Sequence, residues 1–371
     1  MKITKMRIGR ISVPLIVPFT TALRSVNSVE DILVEIHTEE GLIGYGEAAP
    51  NAVVTGDTPE SIVAAIRHPI SKFVLGRDLD EFAAILQDVQ KSCIHNTAAK
   101  AAVDIALHDL FGKYLKVPTY KMLGACRRQI ATDITISVND PETMARDTKN
   151  AVDRGYRTLK VKVGVDPSLD VERLQAVRKT AGSDVDIRID ANQAWKPKEA
   201  VRILTQMQDK GLNIELCEQP VHAKDLEGLK YVTDRSPVPV LADEAVFSPA
   251  DALKIMQMRA ADMVNIKLMK CGGLAPAQQI VSAAEVYGVE CMMGCMLEAK
   301  ISVNAAVHLA CAKNIITKID LDGPVLCKED PIFGGSAFRE REITVSDSPG
   351  LGITGVDKFT QLHTISQGGK I

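Results

Sequence analysis

The sequence is that of an α/β protein in which stacked βα units close into a barrel, with a separate α+β segment in front. Three observations predict this. At 371 residues the chain is longer than one ordinary core, so two domains or a large barrel with an appendage are expected. From Thr132 onward short apolar runs alternate with amphipathic helices. The first 125 residues or so follow a different, mixed pattern.

The apolar runs are Asp133 to Val138, Thr158 to Val163, Val185 to Asp190, Ile214 to Glu218, Val238 to Asp243, Met263 to Leu268, Glu290 to Met293 and Ile315 to Leu321. Eight parallel strands are the number that closes a barrel. The helices between them carry their own punctuation. Asp140-Pro141 supplies an N-cap and an N1 proline, Gly155 stops the helix that follows, and Ser248-Pro249 opens another. From Lys198 to Lys210, Ala200, Val201, Ile203, Leu204 and Met207 recur at helical spacing before Gly211.

In the amino-terminal segment, Ile3 to Val13 and Ile32 to His37 read as strands and Glu39-Glu40-Gly41 as a turn, with helices around Ile62, Phe82 and Ala101. Val117-Pro118 and Gly124 mark its exit. The expected division is an α+β capping domain over residues 1–125, a barrel over 126–329, and a tail, 330–371, that folds back onto the cap.

A net charge of −3 with Lys and Arg distributed throughout leaves no basic surface for nucleic acid or an anionic membrane, so a small-molecule substrate is expected. The eight cysteines have no CxxC spacing and sit mostly in apolar runs, as free thiols of a cytoplasmic protein do. Met1 to Pro14 alternates polar and apolar residues, as a strand does and a signal peptide does not. No run is long enough to span a membrane.

Reactive groups of a βα barrel sit at the carboxyl ends of its strands. There the runs end in Lys162, Asp190, Glu218, Asp243, Lys267 and, on the eighth, Asp320. Apolar strands have no structural use for such a series. Converging the carboxylates of Asp190, Glu218 and Asp243 without a cation would cost several kcal/mol, and an all-oxygen set favours Mg2+ or Mn2+ over zinc. Taken singly, each could cap a helix or pair with a base. Lys160 and Lys162 are two apart on one strand and share a face, while Lys267 comes from the far side of the barrel. A lysine beside a cation and a second ammonium has a lowered pKa and can serve as a base. Two bases across a metal suit removal of a proton next to a carboxylate and its return from the other face, through an ene-diolate.

Lys160-Val161-Lys162, Asp190-Ala191-Asn192, Glu218-Gln219-Pro220, Asp243-Glu244 and Asn265-Ile266-Lys267 resemble the muconate-lactonizing subgroup of the enolase superfamily over nearly the whole chain. The resemblance implies a modified (β/α)7β TIM barrel with an α+β capping domain. It assigns metal roles to Asp190, Glu218 and Asp243, with one Mg2+ per subunit, base roles to Lys162 and Lys267, and a homo-oligomer. Within the subgroup the chain is similar to dipeptide epimerases, the L-Ala-D/L-Glu epimerases among them, which carry an aspartate pair at the eighth strand. Here that pair is Asp320 and Asp322, which on a strand would face one substrate ammonium.

Specificity is expected from loops over the barrel mouth, Phe19 to Arg24 and Pro50 to Gly56, with Lys160, Thr135, Cys295, Met296 and Leu297 lining the same cavity. Arg24 favours an acidic side chain at the epimerised position, whereas Phe19 and Leu297 favour a hydrophobic one, and both stay open. So do an o-succinylbenzoate synthase or muconate cycloisomerase activity on the same scaffold, and a non-catalytic binding protein. Two departures from the family pattern are Ala125, where relatives often carry glycine, and Gly323, where they often carry a small side chain.

Overall fold

The computed structural model describes residues 1–20 and 25–368. The chain begins with an antiparallel meander of β1 (Ile3–Thr20), β2 (Ser25–Thr38) and β3 (Ile43–Ala48). The predicted turn separates β2 from β3, with Gly41 at a φ of +86°. Helices α1 (Pro59–Ala65), α2 (Phe82–Lys91) and α3 (Thr97–Leu115) follow at the expected places, and a short α4 (Thr119–Leu123) forms where only an exit from the domain was expected. β3 is the strand that periodicity missed. A Cβ at Gly46 would lie 1.8 Å from the Ala102 carbonyl oxygen on α3, so the strand needs glycine to lie directly on that helix. Ala125 has a φ of +55°, a backbone conformation that glycine adopts more readily than alanine.

After β4 (Gln129–Ala131) come the eight barrel strands: β5 (Ile134–Ile136), β6 (Thr158–Lys162), β7 (Asp186–Asp190), β8 (Ile214–Glu218), β9 (Val240–Ala242), β10 (Met263–Lys267), β11 (Glu290–Gly294) and β12 (Ile316–Asp320). They pair in parallel in that order. Between β12 and β5 the ring is nearly closed: the Asp133 amide donates to the Ile319 carbonyl at 3.3 Å, and the Leu321 amide to Thr132 Oγ1 at 2.8 Å.

The connecting helices are α5 (Pro141–Asp153), α6 (Asp170–Ala181), α7 (Pro197–Asp209), α8 (Leu226–Thr233), α9 (Pro249–Met258), the short α10 (Leu268–Cys271) with α11 (Leu274–Tyr287), and α12 (Lys300–Ala312). Seven βα crossovers and a final strand make this the modified (β/α)7β barrel. The predicted caps form: Asp140 accepts from the Thr143 amide on α5, and Ser248 from the Asp251 amide on α9. Beyond α13 (Gly323–Leu326) the tail forms β13 (Ile332–Gly334), β14 (Ala337–Arg339), β15 (Glu342–Thr344), β16 (Ile353–Val356) and β17 (Thr360–Ser366). β17 completes the amino-terminal sheet by pairing antiparallel with β1, and β15 pairs with β4 beneath the barrel's first strand.

All eight cysteines are free, Cys291 and Cys295 included. Among the described residues no helix is long and apolar enough to cross a membrane.

Candidate active site

The barrel is parallel, so every strand ends at the same mouth. Asp190 on β7 lies in register with Lys162 on β6 and with Glu218 on β8, and Asp243 follows directly after β9. These side chains are nearly inaccessible to solvent, with Asp190 0% and Glu218 1% exposed. Isolated charges at that depth would not be tolerated, and each meets an opposite charge. Lys160 Nζ lies 2.7 Å from Asp320, 2.8 Å from Glu218 and 3.3 Å from Asp190. Lys162 Nζ lies 2.6 Å from Asp190. Lys267 Nζ lies 2.7 Å from Asp243 and 3.8 Å from Glu218. β6 and β10 are four positions apart in a ring of eight, so Lys162 and Lys267 enter from opposite walls.

Ammonium groups thus bridge the carboxylates in sequence around the mouth. Among the described residues, no three His, Cys, Asp or Glu side chains converge on one point at metal-bonding distance. The donor chemistry nevertheless fits a hard cation. Asn192 Oδ1, Glu244 Oε2 and Asn265 Oδ1 are buried oxygens at this mouth without a hydrogen-bond partner. Burial, and then the charge of Asp190, pushes the Glu218 carboxyl up to about 7. Burial and the neighbouring Asp243 do the same to Glu244, also to about 7. Both shifts come first from burial and then from a neighbouring carboxylate, whereas the lysines lower Asp190 and Asp243.

The lysine expectation is qualified by this geometry. Burial works to lower Lys267, but the Asp243 carboxylate outweighs it and holds the amine above its ordinary value. Lys160 is raised in the same way, chiefly by Asp320 and Glu218 against burial. The lowered lysine pKa expected from the sequence requires the carboxylate charge to be taken up by a cation.

Asp320 and Asp322 both reach the cavity, but not as a same-face strand pair. β12 ends at Asp320, and Asp322 adopts helical angles as the residue before α13, where its carboxylate accepts from the Thr135 amide at 2.8 Å. Burial and the charge of Asp320 push Asp322 up to about 6. Gly323 lies against the preceding loop: a Cβ there would meet the Glu298 carbonyl oxygen at 2.7 Å. Phe19, Thr135, Lys160, Cys295, Met296 and Leu297 line the cavity with these groups, as do Asn51, Val53 and Val54. Arg24 lies outside the described residues.

The cavity holds about 70 Å3. A larger groove of about 690 Å3, between the amino-terminal sheet and the tail, holds none of the strand-end carboxylates, so chemistry and not size identifies the site.

Several supporting residues escaped the sequence reading. Lys270, fully buried on α10, donates to the Asp243 carboxylate and to the Asn265 carbonyl at 3.1 Å. Gln219 accepts from the amides of Asp243 and Ala245 at 2.9 and 3.1 Å, fixing the end of β8 to the end of β9. Asn265 donates to Glu218 at 2.9 Å. One layer below the mouth, Arg188 joins Asp133 at 2.9 Å to Glu215 at 2.7 Å inside the barrel. Gln219 and Asn265 stood in the motifs that carry the resemblance but without a role, and inward parity was a further signal: Asn265 and Arg188 sit two residues before Lys267 and Asp190.

Comparison with known proteins agrees with this geometry. Residues 3–124 match the mandelate racemase / muconate lactonizing enzyme amino-terminal domain, and residues 143–358 the enolase carboxyl-terminal domain-like family. The chain is 56% identical over 350 residues to an L-Ala-D/L-Glu epimerase of Clostridium acetobutylicum, covering 94% of this chain and 98% of that one. The substrate-liganded structure of the L-Ala-D/L-Glu epimerase of Bacillus subtilis superposes with a TM-score of 0.95 at 47% identity, covering 96% of this chain and 99% of that one. A dipeptide epimerase of Enterococcus faecalis, complexed with Mg and L-Leu-L-Tyr, superposes with a TM-score of 0.92 at 39% identity, covering 96% of this chain and all of that one. With both domains matched and the strand-end residues in place, this chain belongs to the mandelate racemase and muconate lactonizing enzyme family of the enolase superfamily.

Proposed function

We propose that this protein is a Mg2+-dependent dipeptide epimerase that inverts the α-carbon of the carboxyl-terminal residue of its substrate. The observation that carries the reading is the pair of lysines on opposite walls of a mouth rimmed by Asp190, Glu218 and Asp243. Each of the three carboxylates contacts an ammonium that also contacts another of them, and a cation would take over that charge pairing. The Mg2+ of the Enterococcus relative supports the same ion here. Bound by these three carboxylates, it supplies positive charge to the substrate carboxylate and so acidifies the adjacent C–H.

The chain's own residues do the rest. Asp320 and Asp322 hold the substrate ammonium at the far side of the cavity, where Lys160 now neutralises Asp320. Lys160 stays beside Glu218 and adds positive charge where negative charge develops. One of Lys162 and Lys267, as the free amine, takes the α-proton at its Nζ, while the other, as the ammonium, delivers a proton to the opposite face. The reverse reaction exchanges their roles. Phe19 and Asn51, Val53 and Val54 line the cavity from the amino-terminal segment and so face the substrate side chains.

A dipeptide with an acidic carboxyl-terminal residue is the favoured substrate, supported by the 56% identical L-Ala-D/L-Glu epimerase. The apolar lining of Phe19, Val53, Val54, Met296 and Leu297 favours hydrophobic dipeptides as a second reading. Incubating L-Ala-L-Glu and L-Leu-L-Tyr separately with enzyme and Mg2+ in D2O distinguishes them by which loses its α-proton faster. Free thiols throughout are consistent with a cytoplasmic enzyme. The domain reading remains a cap of residues 1–125 and 330–371 over a barrel of 126–329, assembled as a homo-oligomer.

A further inference from the structure

Two carboxylic acids from the amino-terminal sheet reach the barrel at a point the proposed chemistry does not use. Asp31 on β2 and Glu47 on β3 are buried, 1% and 0% exposed. Both accept from the backbone amide of Ala299, each at 2.9 Å, and Glu47 also accepts from the Ser302 amide at 2.8 Å. Ala299 is the N-cap residue of α12, whose own side chain cannot cap, so the cap domain provides what the helix lacks. Directly before it runs the loop Cys295–Glu298, three of whose residues line the substrate cavity. Within that loop Glu298 folds back to accept from the Met296 amide at 2.6 Å. The loop is therefore held at one end by β11 and at the other by carboxyl groups of a different domain.

We propose that Asp31 and Glu47 form a hydrogen-bonded carboxyl pair that positions the Cys295–Glu298 loop from the cap, and thereby sets how the barrel fits the substrate side chain. Both are positioning residues and touch no substrate. Glu47 accepts from two backbone amides and Asp31 from one, and burial, then Glu47, pushes the Asp31 carboxyl well up, which places the shared proton on Asp31. The two are then unequal. An amide at position 31 can still donate to Glu47 and accept from Ala299. An amide at position 47 has one oxygen for two backbone donors and so turns an N–H2 group toward the N–H of Ala299 or Ser302.

The test compares wild type, Asp31→Asn, Glu47→Gln and Ala299→Pro. The last replaces the shared N–H with a ring carbon, at a φ of −76° that proline accepts, and so breaks the contact with both carboxyls at once. Hydrogen exchange of the 295–302 amides, read on the protein without substrate, should accelerate at least about 10-fold in Glu47→Gln and Ala299→Pro and stay within about 2-fold in Asp31→Asn. For turnover, the same two variants should raise KM about 10-fold with kcat within about 3-fold, and shift the ratio of kcat/KM between L-Ala-L-Glu and L-Leu-L-Tyr. Unchanged exchange in both variants, an unchanged KM and substrate ratio, or an Asp31→Asn defect equal to that of Glu47→Gln would each overturn the proposal. The turnover arm rests on the epimerase reading. A wild-type chain inert toward every dipeptide would refute that reading, while amide exchange would still decide the clamp.

Discussion

At the residue scale, groups only a few ångströms apart do separate work, and substitutions should separate them. Replacing Lys162 or Lys267 with alanine removes a base that no neighbour replaces, so each change should lower kcat/KM for epimerisation by at least about 1,000-fold, roughly 4 kcal/mol of transition-state stabilisation. Steady-state polarimetry checks this, and a variant retaining a tenth of wild-type turnover would remove that lysine from the mechanism. Asp320→Asn should act differently, raising KM more than it lowers kcat, because the proposed partner is the substrate ammonium and not the reacting carbon. The carboxylate and lysine series was legible because charged side chains at the ends of buried apolar strands have no packing use. Lys270 and Gln219 were not, because their roles depend on where the chain turns after β10 and β8. The Asp322 geometry was missed for a related reason: alternation holds only while the strand continues, and β12 stops at Asp320.

At the scale of elements, local signals were dependable where a side chain completes a backbone hydrogen bond. Asp140 and Ser248 cap their helices as their sequence context requires. Asp140→Ala should cost about 1 kcal/mol in urea unfolding with catalysis untouched, since α5 lies outside the barrel mouth; a loss below about 0.3 kcal/mol would show that the cap contributes little. β3 illustrates the opposite case. Its two glycines weaken the strand pattern, yet they permit its contact with α3, so packing between elements overrode local propensity. Gly46→Ala should therefore destabilise the fold far more than the small difference in strand preference suggests, read as a lower melting temperature.

For the whole molecule, the docking of amino-terminal sheet, barrel and tail was legible only as an expectation that the tail returns, because contacts between residues hundreds of positions apart leave no periodic trace. His308 on α12 belongs to this level. It is fully buried, its Nδ1 accepts from the Tyr120 amide at 3.0 Å, and burial lowers its pKa to about 3. The unfolded chain takes up that proton near pH 6.5 and the folded chain only near pH 3, so this contribution to stability is complete above about pH 6.5 and lost as pH falls, by up to about 1.4 kcal/mol per unit. Urea midpoints compared with His308→Gln, which can still accept from Tyr120 but does not titrate, isolate that slope; equal slopes in the two proteins would contradict it.

The central claim is that a cation-dependent, two-lysine site moves one α-proton between the faces of a dipeptide. Proton NMR of L-Ala-L-Glu and L-Leu-L-Tyr in D2O, with chelator-treated enzyme before and after Mg2+ is restored, tests it most directly. The account requires loss of the carboxyl-terminal residue's α-proton signal, together with appearance of the epimer, only when Mg2+ is present. Exchange that proceeds equally with chelator, or no exchange in either dipeptide with Mg2+ restored, would contradict it.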